Sequence, residues 1–502
     1  MAAAPVIATG SRPKDHVRPP VASCTTSMWA DTFTSFSLDH QVQEKYAEAI
    51  EELKGEARSM LLTGKGKTIC ERLILIDTLE RLGVAYHFDR EIEEHLEVIL
   101  KSDSEQDLFT TALRFRLLRQ HRHYVSCSVF DKFKDEDNKF KETLNNDAKG
   151  LLSLYEAAHV RIHGEKILDE ALAFTVHHLK RMVQQLESPL QDQVKRALEH
   201  PLHRGIPRIE TRYYISLYEK DSSMNELLLK LAKLDFNYLQ NMYKDELHQL
   251  SRWWNELNPG MPYARNRVVE AYVWGLAYHF QPQYSYARVG FAKSIQMLTV
   301  LDDTYDNYAT VEESDLFTHI LERWEIDEID QLPDYMKPIY KCVLRIYDDY
   351  ERDAAKQGKL FVVPYAKQTV KDICRAQSKG LKWTLGGEMT SFEDYLKITF
   401  VTSCIYVMCS GTFPGMKSVS KETIDWLRKA KDKFVELAED AWKDLNTEWM
   451  DKTSVVPKDM LEQILNYTRA SEVFYGDCRD GYAKPQVMTP QIAALFVDPI
   501  II

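Results

Sequence analysis

The chain has 502 residues, 44% of them hydrophobic and 28% charged, with a net charge of −12. This length gives room for two or three domains and a large core. The charge argues against nucleic acid or an anionic membrane as the main partner, because phosphate-binding surfaces need excess Lys and Arg.

The first two dozen residues, rich in Pro, Ser and Thr, read as part of an arm over 1–37. The opening "MAAAPVIATGSRPKDHV" looks too short for an organelle transit peptide and lacks a secretory apolar core. Cytosol is therefore the expected compartment. The eight cysteines include no CxxC pair, which argues against a zinc site or a disulfide scaffold and for reduced thiols. No run approaches 18 uninterrupted apolar residues, so no membrane span is expected.

From residue 38 onward the pattern is helical. "QVQEKYAEAIEELKGEARSML" (41–61) carries apolar residues three and four apart among charges, the stripe of an amphipathic helix. "KTICERLILIDTLERLGV" and "RIHGEKILDEALAFTVHHLKRMVQQL" repeat it, and alternation at period two is scarce. The expected fold class is all-α. A break at Asp221–Ser223, with Ser223 and Glu226 spaced as a capping box, divides the chain into helical domains at 38–221 and 222–502.

In "IQMLTVLDDTYDNYAT" (295–310), Asp302, Asp303 and Asp306 emerge together from an apolar run. Three carboxylates that close repel one another unless a positive charge sits among them. On a helix Asp302 and Asp306 share a face while Asp303 points about 100° away. Such a pair suits Mg²⁺, which prefers oxygen ligands and retains waters and phosphates; a solvated acidic helix end is the alternative. Upstream, Arg265 and Arg267 have the charge to meet an anion such as diphosphate, though an R-x-R pair is also common on surfaces. Trp274 and its aromatic neighbours read as core. Tyr475, Asp480 and Tyr482 surround a Gly turn that reads equally as a capped helix end.

In this order the motifs resemble the plant terpene synthases, of the cytosolic sesquiterpene synthase type. The resemblance spans nearly the whole chain: "RPPVASCTTSMWADTF", "ALRFRLLRQHRHYVSCSVFDKFKD", "HRGIPRIETRYYISLYEKD", "LAKLDFNYLQ", "RNRVVEAYVWGL", "LDDTYDNYAT", "AWKDLN" and "DGY". The opening is one residue longer between Arg18 and Trp29 than the family pattern. The resemblance implies a C-terminal class I terpenoid synthase bundle. It implies Mg²⁺, with Mn²⁺ as a substitute, held by Asp302 and Asp306 with Asp303 behind them, and an allylic diphosphate as substrate. Arg265 and Arg267 would steer the departing diphosphate. Trp274 would line the cavity with Thr402, Ser403 and Cys404 on the broken helix "ITFVTSCIYVMCSG", and Tyr475, Asp480 and Tyr482 would form the C-terminal cluster. The implied reaction is ionisation and cyclisation of farnesyl diphosphate by a monomer, with geranyl diphosphate as the alternative substrate. A chain-elongating prenyltransferase would need two aspartate-rich motifs, and one convincing copy is present.

One departure stands out. The family's second metal motif, N/D-D-x-x-S/T-x-x-x-E, is expected between the segments resembling "DWLRK" and "AKDKFVELAEDAWKDLN", which here run together near 429–431. The shortfall is roughly forty-odd residues, about 60 Å if all helical at ~1.5 Å per residue. Asp440, Asp444 and Glu448 have the lost ligands' spacing, but Ala441 replaces the second acid and the stripe reads as solvated. Asp348, Asp349 and Asp353 read as surface, and "DEDN" at 135–138 is the nearest approach to a protonating D-x-D-D. A catalytically impaired relative is therefore the alternative to an active enzyme.

Overall fold

The computed structural model describes residues 27–62, 67–102, 107–385, 391, 398–399, 401–430, 441–451, 456–476 and 480–502. The regular elements among the described residues are all helices, and their one β-type contact is an isolated bridge between Lys134 and Phe140. None of their helices is long and apolar enough to cross a membrane.

The first half runs through α1 (His40–Leu62), α2 (Ile69–Arg81), α3 (Asp89–Leu100), α4 (Leu108–Gln120), α5 (Ala148–Ala158), α6 (Lys166–Met182), α7 (Leu190–Glu199) and α8 (Pro207–Tyr218). Local chemistry sets these boundaries. Thr68 and Glu71 form a reciprocal capping box at the start of α2, Asp107 caps α4, and Pro207 opens α8 at a position where its missing N–H costs nothing.

α9 (Glu226–Leu257) begins after the break expected at 221–223, but its cap differs from the expected one. Asn225 Oδ1 accepts the Leu228 N–H at 3.1 Å, while Ser223 Oγ turns back to Asp221 at 2.7 Å. Asn225 directly precedes the first helical residue, so its shorter reach displaces the Ser223–Glu226 box. α9 serves two cores. Leu228, Leu231 and Phe236 pack with α1–α4, whereas Leu239, Tyr243, Leu247 and Trp254 pack with the second half.

That second half comprises α10 (Val268–Tyr278), α11 (Ser285–Asn307), α12 (Val311–Arg323), α13 (Lys337–Lys356), α14 (Val363–Thr384), α15 (Ile405–Ser410), α16 (Lys421–Ala430), α17 (Ala441–Met450), α18 (Lys458–Tyr475) and the short α19 (Thr489–Ile492). Every residue of α10 is buried, as expected for a helix apolar on all sides. α10 packs on α11 and α18, making these three the centre of the bundle. The chain end folds back onto α9: Asn237 exchanges two hydrogen bonds with Ile500, at 2.7 and 2.9 Å.

Candidate functional site

α11 carries the aspartates because its sequence forces it through the core. Ile295, Leu298 and Leu301 are buried, and the helix reaches the rim of a cavity as the acids begin. Ile295, Leu298, Thr299 and Asp302 stand at i, i+3, i+4 and i+7, one helical face, and all four line that cavity of about 110 Å³. Arg265, Trp274, Thr402, Ser403, Cys404, Tyr475, Asp480 and Tyr482 complete its wall with Met408, Tyr467 and Ala483. Of the site residues that the family resemblance implies, Asp303, Asp306 and Arg267 do not line it.

The three aspartates differ sharply in environment. The Asp302 side chain is 37% exposed, Asp303 is 3% exposed, and Asp306 lies on the surface. Arg265 holds the first two. Its Nη2 donates to Asp302 Oδ2 at 2.9 Å, and its backbone N–H donates to Asp303 Oδ2 at 2.8 Å. Its Nε lies 2.7 Å from Asp303 Oδ1 as an ion pair, off the hydrogen-bonding line. The other oxygen of Asp302 accepts from Gln377 Nε2 on α14 at 3.1 Å. Burial pushes the Asp303 carboxyl up to about 6, against the downward pull of the Arg265 guanidinium.

The donor set fits a divalent cation on one side. Asp302 and Asp306 are hard oxygen donors one turn apart, and they leave most of the coordination sphere to waters and phosphate oxygens. Among the described residues no cluster of three or more His, Cys, Asp or Glu side chains has metal-holding geometry. Of the acids considered as stand-ins, Asp444, Asp349 and Asp353 have partners of their own. Asp444 pairs with His163 at 2.7 Å in a solvent-accessible contact between the two halves. Glu448 is exposed, and Asp440 lies outside the described residues. Asp349 and Asp353 pair with Arg352 and Lys356, and residues 135–138 are exposed.

The deep end of the cavity is aromatic. The Trp274 ring centroid lies 5.7 Å from both Tyr467 and Tyr475 and 5.3 Å from Phe474. Burial pushes the Tyr475 and Tyr482 phenols well up, so both stay protonated. The Cys404 thiol rises to about 12 for the same reason, which removes it as a nucleophile. Cys404 sits at φ +66°, breaking the helical path between Thr402 and α15 where the sequence placed a broken helix. Asp480 Oδ1 accepts the N–H groups of Tyr482 and Ala483, at 3.1 and 2.8 Å, and so builds the turn that presents Tyr482.

Thr299 and Tyr467 were missed in the sequence although helix arithmetic reaches them: Thr299 shares the Asp302 face, and Tyr467 lies on α18 with Tyr475. Gln377 carried no such signal, because only tertiary packing of α14 on α11 brings it to Asp302. A larger cavity, about 290 Å³, lies between the two halves. Its charged lining includes the internal pair Arg196–Glu210 but none of the residues that the sequence singled out, so the smaller cavity is the candidate site.

Known proteins match both halves of the chain. Residues 28–198 match the profile of the terpene synthase N-terminal domain, and residues 255–446 match that of the terpene synthase family metal binding domain. The gamma-cadinene synthase of Ocimum basilicum is 49% identical, covering 97% of this chain and 98% of that protein. The tau-cadinol synthase of Lavandula angustifolia is 47% identical over the same shares. Among solved structures, limonene synthase with 2-fluorolinalyl diphosphate superposes with a TM-score of 0.87 at 29% identity, covering 95% of this chain and 99% of its own. Grey poplar isoprene synthase, in complex with three Mg²⁺ ions and dimethylallyl-S-thiolodiphosphate, gives 0.83 at 29% identity, covering 91% and 97%. The basil alignment runs over 540 positions while using 97% of 502 residues, so about fifty of its positions have no counterpart here. With both domain profiles matched and near-complete relatives at almost half identity, this chain belongs to the terpene synthase family.

Proposed function

We propose that this enzyme is a sesquiterpene synthase that ionises farnesyl diphosphate and cyclises the resulting cation, releasing diphosphate. The observation that carries the reading is one cavity with two chemically opposite ends: Arg265 and Asp302 at the rim, and Trp274, Tyr467 and Tyr475 inside. Both relatives named above are called synthases of cadinane-type products, which supports the C15 substrate.

A divalent cation, Mg²⁺ by its preference for carboxylate and phosphate oxygens, supplies positive charge at the diphosphate when bound between Asp302 and Asp306. The chain's own residues do the rest. Arg265, now paired with two carboxylates, turns its guanidinium to the leaving diphosphate, and Gln377 keeps Asp302 aligned. The aromatic faces of Trp274, Tyr467 and Tyr475 stabilise positive charge on the hydrocarbon, each by ~0.5–2 kcal/mol when desolvated. Their bulk excludes the water that would quench it. With the cavity phenols and thiol held protonated, no covalent intermediate with the protein is needed. The six described cysteines stand as free thiols, which supports the cytosol as the compartment.

A second reading has specific support: a catalytically impaired relative, because about fifty positions of the basil alignment have no counterpart here. Incubation of the full chain with Mg²⁺ and farnesyl diphosphate, followed by gas chromatography of the volatiles, decides between them. A C15 hydrocarbon or alcohol above a boiled control is expected. Product from geranyl diphosphate alone moves the enzyme to the monoterpene class, and no product from either substrate leaves the impaired reading.

A further inference from the structure

Arg267 lies two residues from Arg265 yet does not line the cavity and has no exposed surface. Its Nε donates to the carbonyl of Tyr482 at 3.1 Å, and its Nη1 donates to the Asn266 carbonyl at 3.1 Å. Gln296, also fully buried, fixes the segment in between. Its Oε1 accepts the Arg267 N–H at 2.9 Å, and its Nε2 donates to the Arg265 carbonyl at 2.7 Å. Tyr482 is held at its other end by Thr299, 2.6 Å from hydroxyl to hydroxyl. Thr299 also lies 2.9 Å from the Ile295 carbonyl, which takes its single proton, so its oxygen accepts from the phenol. Gln296, Thr299 and Asp303 follow one another at i, i+3 and i+7 along α11, so one helix ties down both the arginine segment and the C-terminal turn.

We propose that Arg267 is a positioning residue for the Asp480–Tyr482 turn, and that the diphosphate is met by Arg265 alone of the pair. The buried guanidinium anchors the Tyr482 backbone, Thr299 anchors its ring, and the tyrosine wall of the cavity stays closed against water. As an account of catalysis this rests on the proposed synthase activity; as an account of the turn it does not.

The test uses the full-length protein and two readouts. Hydrogen exchange of the peptide covering 480–484, without ligand, reports the turn; calorimetry with inorganic pyrophosphate and Mg²⁺ reports the anion site. With Arg267→Gln, exchange in 480–484 is expected to rise about fivefold or more, with pyrophosphate affinity held within about threefold, since one charge-assisted hydrogen bond to a carbonyl is lost. Arg265→Gln should do the reverse, weakening pyrophosphate at least about tenfold while leaving the exchange unchanged. In an active preparation, Arg267→Gln also lowers kcat more than it raises KM and increases the alcohol fraction of the product. Arg267→Lys and Thr299→Val make the same comparison if the glutamine variant does not fold. The lysine loses the planar fork and the valine loses only the hydroxyl, and both should loosen 480–484. The proposal is overturned if the Arg267 variants lose pyrophosphate as steeply as Arg265→Gln while exchange at 480–484 stays put. If the wild type makes no terpene, the exchange comparison still decides the role of Arg267.

Discussion

Asp302 and Asp303 are adjacent in sequence and have opposite surroundings, and the helix explains why. A step of 100° sends Asp302 to the cavity rim and Asp303 into the protein against the Arg265 backbone. That much was legible from spacing alone. The grip of Arg265 on both acids was not, because it depends on where the 263–267 segment lies across α11. On the proposed function, this grip makes Asp302 a competitor of diphosphate for Arg265. Asp302→Asn should therefore have two effects of opposite sign. Turnover with Mg²⁺ falls at least about 100-fold, because a charged ligand at the diphosphate is lost. Affinity for inorganic pyrophosphate in the presence of EDTA rises severalfold, because Arg265 is released from one of its two carboxylates. Calorimetry of the variant checks the second effect separately from assay of the first. An unchanged EDTA affinity would show that the Arg265–Asp302 pair does not restrain the guanidinium.

The helices themselves were readable from their apolar stripes, and α1 falls within one residue of the span expected from its pattern. What elements do for one another was less legible. α17 follows the suspected deletion and reads as an acidic stripe, yet it is a bracket between the two halves. Asn446 donates to the carbonyls of His159 and Arg161 at 3.2 and 2.8 Å, and its Oδ1 accepts from His203 Nε2 at 2.9 Å. Arg122 donates to the carbonyls of Trp449 and Asp451 at the end of the same helix. Asn446→Ala strands three buried polar groups and should cost about 3 kcal/mol at roughly 1 kcal/mol each, read by denaturant unfolding. The same bracket is sensitive to acid. Burial, with the nearby Arg469 charge, holds the His203 imidazole down at about 3, against the Asn446 hydrogen bond. The unfolded chain thus binds a proton that the folded chain refuses between about pH 3 and 6.5. Stability is full above that window and declines as pH falls through it, by on the order of 4–5 kcal/mol. His203→Gln should flatten this part of the stability profile while keeping a hydrogen bond to Asn446. A profile with the wild-type slope would place the acid sensitivity in other groups.

At the scale of the whole molecule, the break near 221 was visible, whereas the sharing of α9 by two cores was hidden, because an amphipathic helix looks alike whichever core it faces. The shortfall near 429–431 was visible in the sequence, and the basil alignment as a whole has about fifty positions without a counterpart in this chain. Its consequence belongs to the molecule as a whole. The chain keeps a helical bundle, an aromatic cavity and the acids Asp302 and Asp306 near its rim, and the segment expected to face those acids is where the sequence runs short. A diphosphate gripped from one side has fewer charges to stabilise its departure, and each missing electrostatic contact of this kind is worth about 10²–10³ in rate. Inserting the basil enzyme's counterpart of the missing segment between Ala430 and Lys431 should raise turnover of farnesyl diphosphate at least about tenfold. It should also lower the Mg²⁺ concentration giving half-maximal rate, since added carboxylates strengthen binding of a hard cation. Manganese bound per chain in the presence of pyrophosphate, counted by electron paramagnetic resonance, should rise with the graft. Equal turnover and equal manganese stoichiometry in the grafted and natural chains would mean that Asp302, Asp306 and Arg265 suffice, with the natural chain a complete enzyme on a single clamp.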